Sequence, residues 1–287
     1  MLGLMKPDSG GPRPLPDLDE RAHLHRADDR SHRIARYAPS PLLADLVERY
    51  WIPVWSLPAG AEAVQQVLQY PVALIVIDAD AARFTGVASA MSSVMLEGQG
   101  YAVGVMFRPA AGALVVGGSM ADWTDRTAAL DEVLANDAHA LATDVREAMA
   151  AAPHDPSAHL AALAALERVL ARFVPVDAEG HLVNQIVAWV EASSDVVRVS
   201  QLCERFDIGE RALQRLTRRR LGITPKWLIR RRRLHEATEA LRAGTMGIAE
   251  VAARLGYADQ AHLTRDLRSV TELTPAQVAR LFGRSDG

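Results

Sequence analysis

Val199-Ser-Gln-Leu-Cys-Glu-Arg-Phe-Asp-Ile-Gly-Glu-Arg-Ala-Leu-Gln-Arg-Leu216 and Ile248-Ala-Glu-Val-Ala-Ala-Arg-Leu-Gly-Tyr-Ala-Asp-Gln-Ala-His-Leu-Thr-Arg265 are two passages of one pattern. Each reads as a short helix, a turn and a second helix. Each is followed by a similar phrase, Gly222-Ile-Thr-Pro225 in one case and Glu272-Leu-Thr-Pro275 in the other. A repeat of about 50 residues built this way points to a pair of DNA-reading units. In the first unit Val199, Leu202 and Phe206 fall on one side of a helix that Ser200 can cap, with Cys203 where a capping box would carry Glu or Gln. Asp207-Ile208-Gly209 supplies the turn. Leu213 and Leu216 then point inward, leaving Arg211, Gln214, Arg215 and Arg218 outward. In the second unit Ile248, Val251 and Leu255 are the inward set, Gly256 permits the turn, and Tyr257 takes the role of Ile208. Leu263 and Leu267 face inward, and Gln260, His262 and Arg265 are left for a groove.

The outward residues suit base reading. Arg can make two parallel hydrogen bonds to guanine O6 and N7, and Gln two to adenine N6 and N7. Other long cationic side chains at the same helix end can pair with phosphates. Between the units, Pro225–Arg242 has proline at the first helical position, where its missing N–H has no intrahelical partner, and an apolar face of Leu228, Leu234, Ala237 and Leu241. At about 1.5 Å per residue this helix is a rod of roughly 27 Å. Successive major grooves on one face of B-DNA lie about 34 Å apart, so such a rod is suited to hold two probes in adjacent grooves. Arg230-Arg-Arg-Arg233 points all round the helix. Arg233 is expected to be partly internal and paired with a carboxylate, with one or two of the others on the DNA backbone.

The charge is divided to match. From residue 181 onward there are 18 Lys and Arg against 12 Asp and Glu, leaving 14 against 23 in the remainder, so the net charge of −3 hides a basic end on an acidic one. That asymmetry fits a nucleic-acid module joined to a part that does not bind nucleic acid. The single cysteine, Cys203, excludes an internal disulfide framework and a thiolate zinc cluster. The longest apolar runs, such as 72–77 and 111–116, are too short to span a bilayer, and the first 20 residues do not have the make-up of a signal peptide. A cytoplasmic protein without membrane contact is the expectation.

Upstream, residues 1–32 read as a Pro- and Gly-rich mobile arm. A helix is expected around 41–50. Short strands follow at 67–68, 73–78, 83–86, 93–96, 103–108 and 113–116, broken by Pro and Gly, which suggests a small barrel or sandwich. Helical spacing begins near 128 and covers 128–134, 141–149 and 158–173. In the last of these, Leu160, Leu163, Leu166, Leu170 and Phe173 make a stripe that serves either a core or a dimer. A further helix runs over 181–192. The expected fold class is α+β. An N-terminal β-barrel domain over 33–135 leads through a helical linker at 136–178 to an all-α domain at 179–287.

Arg211-Ala-Leu-Gln-Arg215, Leu221-Gly-Ile-Thr-Pro225, Arg233-Leu234 with Ala237, Ile248-Ala-Glu-Val-Ala252, Leu255-Gly-Tyr257, Leu263-Thr-Arg265 and Thr274-Pro275 together resemble the AraC/XylS family of bacterial transcription regulators. The resemblance covers about 185–285. It implies a seven-helix domain in which Arg211, Gln214 and Arg215 read one groove of double-stranded DNA and Gln260, His262 and Arg265 the next. Thr217, Leu263 and Leu267 stand where the family usually has aromatics, and Glu272 where it has glycine. Tyr37-Ala-Pro39, Val47-Glu-Arg-Tyr-Trp51, Tyr70-Pro71 and Gly104-Val-Met-Phe-Arg-Pro109 are similar to a small cupin-like domain found before such modules, which implies ligand sensing or pairing. A small-molecule effector, a second copy of the chain and, for an activator, RNA polymerase are the further partners implied.

Catalysis finds little support. Of nine histidines only His23-Leu-His25 has ligand-like spacing, and none falls within 66–116, so neither metal nor cofactor is expected. Cys203 sits on the first helix of a DNA-reading unit, where a packed thiol is the plainer reading. Trp51, Trp55, Tyr70, Tyr101, Phe107, Arg108 and Trp123 are candidates for a ligand pocket, against the plainer alternative that aromatics fill the core. Arg108, beside an apolar run, needs Glu48, Asp122 or an anionic ligand. The residues thus predict a DNA-binding regulator rather than an enzyme. The alternative is a ligand-binding or catalytic cupin-like protein whose helical domain serves protein interaction.

Overall fold

The computed structural model describes residues 10–15, 31–68 and 70–281. Most of the expected arm, with His23 and His25, lies outside the described residues. The strands are β1 (Arg13–Pro14), β2 (His32–Ala38), β3 (Val47–Ser56), β4 (Glu62–Val67), β5 (Leu74–Asp78), β6 (Ala82–Thr85), β7 (Ser92–Glu97), β8 (Gln99–Phe107) and β9 (Thr127–Ala129). Seven of them form one antiparallel sheet in the order β1-β2-β3-β8-β5-β6-β9, and β4 pairs with β7 as a separate ribbon. The expected barrel therefore takes the form of a seven-stranded sheet with a two-stranded ribbon across one face.

Alternation along the strands decides which face meets what. Tyr50, Ile52 and Val54 of β3, Ile75 and Ile77 of β5, and Val103, Val105 and Phe107 of β8 are buried on one face. Trp51, Pro53 and Trp55 of β3, Leu74 and Val76 of β5, and Met106 of β8 turn to the other face and line a cavity under the ribbon. The sequence places a helix around 41–50. The structure has only a single turn there, Pro41–Leu43, before β3 begins at Val47. The run from Val47 to Val54 has an apolar residue at nearly every second place, and sheet pairing on both sides makes use of that period. The opposite correction applies at 113–116. Those residues belong mostly to a short helix, α1 (Ala111–Val115), which leaves the sheet after β8.

Helices α2 (Asp131–Leu134), α3 (Asn136–Ala150) and α4 (Pro156–Leu170) cover the buried face of the sheet. Leu163, Leu166 and Leu170 are buried in this core, whereas Leu160 is 41% exposed. Most of the leucine stripe is thus spent within the chain. Asp155 and Pro156 open α4, the Asp155 side chain accepting from the Ser157 N–H. His159 ties the helix to the sheet. Its Nε2 lies 2.8 Å from the Pro153 carbonyl, which only accepts, so in the neutral ring Nδ1 accepts from the Tyr37 hydroxyl at 2.7 Å.

The remaining helices are α5 (Ala178–Ala192), α6 (Val199–Phe206), α7 (Glu210–Leu221), α8 (Pro225–Ala243), α9 (Ile248–Arg254), α10 (Gln260–Thr271) and α11 (Pro275–Leu281). Helix α6 is not capped by Ser200. It starts one residue earlier, and Gln201 Oε1 reaches back to accept from the N–H groups of Val197 and Arg198, both at 2.9 Å. Thr224 and Asp259 cap α8 and α10, with Pro225 at the first position of α8. Helices α7 and α10 both end in a left-handed residue. For α7 this is Gly222 at φ +78°, and for α10 it is Glu272 at φ +62°. A side chain at such a φ is strained because its Cβ crowds the backbone. Glu272→Gly is expected to raise the unfolding free energy by up to about 1 kcal/mol. A denaturant titration showing equal or lower stability would count against strain at this cap.

Candidate nucleic-acid interface

Helices α6 and α7 form the first reading unit and α9 and α10 the second. Both units pack on α8. Leu202, Leu213 and Leu216 are buried in the first unit, and Val251, Leu255, Tyr257, Leu263 and Leu267 in the second. Thr217, Leu263 and Leu267 are wholly buried, so small or aliphatic residues fill this part of the core. All seven side chains expected to face DNA are exposed: Arg211, Gln214, Arg215 and Arg218 on α7, and Gln260, His262 and Arg265 on α10. Gln214 Nε2 donates to Glu210 Oε1 at 3.1 Å, and the His262 ring stands edge-on to Tyr257. Cys203 is half-buried, and burial with the nearby carboxylates Glu210 and Glu204 raises its thiol pKa, the reverse of what a nucleophile needs.

The four arginines of α8 correct the expectation drawn from sequence. Arg231 and Arg232 are the buried ones, at 2% and 1% exposure. Arg232 holds both Glu236 oxygens, at 2.9 and 3.0 Å, and donates to the Val196 carbonyl at 2.7 Å. Arg231 lies beside the Trp227 ring, and burial pulls its pKa down to about 9 despite the opposing charge of Glu191. Among the described residues no carboxylate pairs with Arg233, and its guanidinium lies 3.8 Å from the centroid of the Tyr257 ring. Arg230 bonds to Asp266 Oδ1 at 2.6 Å and to Ser269, while the Tyr257 hydroxyl donates to Asp266 Oδ2 at 2.8 Å. The run therefore pins α8 to α10 and to the turn before α6. A central helix is covered on most sides, so its charges must be satisfied within the domain.

The N-terminal domain docks on both units. Against the first, Val87 and Ala110 enter its core, the Ala110 N–H donates to Asn184 Oδ1 at 2.9 Å, and the Thr124 hydroxyl donates to the Gly222 carbonyl at 2.8 Å. Against the second, Leu68 is buried among Leu234, Leu241, Leu267, Val270 and Val278, and the Met91 N–H donates to the Val270 carbonyl at 2.9 Å. Tyr70 stacks on His235 of α8, with centroids 5.0 Å apart and planes 12° from parallel. Nothing in the sequence singles out Leu68 or His235, because both look like ordinary members of their own segments.

Of the residues expected at a ligand pocket, Tyr70, Trp51 and Trp55 line the cavity between sheet and ribbon, whose volume is about 420 Å³. The others lie elsewhere. Phe107 is wholly buried in the core. Arg108 pairs with Glu48 and donates to the Ala44 carbonyl at 3.1 Å. Trp123 stands edge-on to Phe84 under Arg126. The cavity adds His32, Arg36 and Gln65, which had no distinguishing signal in the sequence. Among the described residues no group of three or more His, Cys, Asp or Glu could hold a metal ion, and no helix is long and apolar enough to cross a membrane.

Residues 202–281 match the family described as "Helix-turn-helix domain", and residues 35–129 match "Domain of unknown function (DUF6597)". Over 110 residues the chain is 31% identical to the HTH-type transcriptional activator RhaR of Cronobacter sakazakii, covering 38% of this chain and 39% of that protein. Over 100 residues it is 28% identical to the probable transcription factor PqrA of Proteus vulgaris, covering 34% of this chain and 82% of that one. Among solved structures, ToxT from Vibrio cholerae aligns over 90% of this chain and all of its own, at 12% identity and a TM-score of 0.38. The C-terminal helical region is thus a helix-turn-helix domain, with its two helix pairs α6–α7 and α9–α10. The match spans about two fifths of RhaR.

Two contacts here are open to measurement. A Cβ at Gly222 would stand 2.3 Å from Thr124 Oγ1 and 2.5 Å from the Met120 carbonyl oxygen, at a φ that side chains disfavour. Gly222→Ala is expected to cost roughly 2 kcal/mol or more in a denaturant titration; a neutral result would show the two domains do not meet there. On α7, Arg220 bonds to Asp177 and to Glu179, the latter at 2.5 Å. The hydrogen bond from Arg220 lowers the Asp177 pKa. Burial alone would raise that of Glu179, but Arg220 together with Arg219 outweighs it and the net shift is downward. Depressed carboxylates contribute stability above their ordinary values, 3.8 and 4.5, and lose it as pH falls through the lowered ones. The stability gap between wild type and Arg220→Met should therefore be open at neutral pH and narrow in strong acid. A gap independent of pH would remove these carboxylates from the account.

Proposed function

We propose that the protein is a sequence-specific transcription regulator that places α7 and α10 in adjacent major grooves of double-stranded DNA. The observation that carries this reading is the exposure of all seven polar side chains on two recognition helices joined through one central helix. Arg211, Gln214 and Arg215 read bases from the first unit and Arg218 meets phosphate, while Gln260, His262 and Arg265 act from the second. The N-terminal domain, cupin-like in character, serves as the sensing or pairing part. Its contacts with Gly222, Leu267 and His235 give it a grip on both units. An activator would also meet RNA polymerase. Pairing of two chains through α4 would rest on Leu160, since the rest of its leucine stripe is internal.

Selection from random duplex DNA supplies the operator on which the reading is tested. Affinity for it should fall with salt, log K against log salt having a slope of about −0.9 per neutralised phosphate. Arg211→Ala and Gln214→Ala should each cost about 1–3 kcal/mol and relax preference at one base pair. Absence of an enriched sequence together with a flat salt response would end the DNA-reading assignment. A uniform loss across all sequences on Arg211→Ala would reduce that residue to a phosphate contact.

A further inference from the structure

Two tryptophans of β3 and two glycines of β8 form a construction that DNA binding does not require. Trp51 pairs across the ladder with Gly104, and Trp55 with Gly100. A Cβ at Gly104 would lie 2.3 Å from Cε2 and Cζ2 of Trp51, and one at Gly100 would lie 2.4 Å from Cζ2 of Trp55. The two indoles therefore lie across the backbone of the neighbouring strand, in space that only glycine leaves open. They share one face of the sheet, four residues and roughly 13 Å apart along the strand. Core packing does not account for them. Their β3 neighbours on the opposite face, Tyr50 and Ile52, are wholly buried, whereas both tryptophans remain half-buried and line the cavity.

We propose that this cavity seats a planar aromatic small molecule, stacked on the floor made by Trp51 and Trp55 and roofed by Val67 and Leu96 of the ribbon. Its volume of about 420 Å³ falls within the usual span for small-molecule sites, roughly 300–1,000 Å³. An indole laid over a glycine keeps one face against backbone and offers the other to the cavity, and aromatic rings prefer offset-stacked or edge-on partners. Stacking of this kind discriminates a flat ring system from a saturated one of the same skeleton. The site also has a mechanical outlet. Tyr70 lines the cavity, and its ring rests on His235 of α8, so an occupant touches a side chain that touches the central helix of the DNA-reading domain. That consequence rests on the sensing role proposed above; the seat itself does not.

The full-length protein is titrated calorimetrically with 2-naphthol and with decahydro-2-naphthol, which share a skeleton and a hydroxyl but differ in flatness and π surface. The expected result is one 2-naphthol per chain, bound about tenfold or more tightly than the saturated compound. Trp51→Leu should erase that preference. Gly104→Ala should do the same by displacing an indole that is still present, and if that variant does not fold, Trp51→Leu decides. Equal affinities, no binding of 2-naphthol, or a preference indifferent to Trp51→Leu overturns the proposal. DNA affinity with and without 2-naphthol is read separately. Binding that leaves DNA affinity unchanged upholds the seat and removes the sensing role, so the two failures are distinguishable.

Discussion

Two buried guanidinium groups, Arg231 and Arg232, flanked by the half-buried Arg230 and Arg233 on one central helix, impose a condition on everything around them. Each must find oxygen acceptors or an aromatic face, because a buried cation without them is strongly unfavourable. Arg232 meets Glu236 and the Val196 carbonyl, Arg233 the face of Tyr257, and Arg230 the Asp266 carboxylate. Asp266 in turn receives the Tyr257 hydroxyl. These bonds join α8 to α10 and to the turn before α6, so the same charges that look like a DNA-binding patch fix how the two reading units are set on their common helix. Desolvation offsets much of the attraction in buried pairs of this kind.

Docking of the N-terminal domain follows from that arrangement. Leu68 is buried in an apolar pocket where α8, α10 and α11 converge. Gly222 accepts Thr124 because it has no side chain to interpose. The N-terminal domain thus holds one unit through a polar contact at a helix end and the other through an apolar plug. The exposed helix faces of α7 and α10 are left clear. Tyr70 lines the cavity and stacks on His235, so the wall of the cavity touches α8.

Much of this was legible before the structure. The helices of the reading units fall at their expected places because three- and four-residue spacing of Leu202, Leu213, Leu216, Leu263 and Leu267 has only one good solution. The division into exposed and buried faces was legible for the same reason, and the seven residues read as outward are exposed. Strand β3 was missed because an apolar residue near a proline-opened turn reads as helix when the alternating pattern that follows is interrupted by Glu48 and Arg49, where the ladder is irregular. Of the pocket candidates, Tyr70, Trp51 and Trp55 point into the cavity while Phe107 points into the core. Which face of a strand is interior depends on what covers it, and here both faces are covered.

The sequence by itself determined the class of local structure and the chemistry of the helix surfaces, since periodicity and capping act within a few residues of each other along the chain. It also determined the uneven charge. Only the tertiary structure decided which arginines of α8 are internal, that Leu68 belongs to the core of a distant helical unit, and that two indoles lie over Gly100 and Gly104. Those outcomes depend on partners from tens to just over two hundred residues away, and no local pattern encodes which surface will arrive to cover a given side chain.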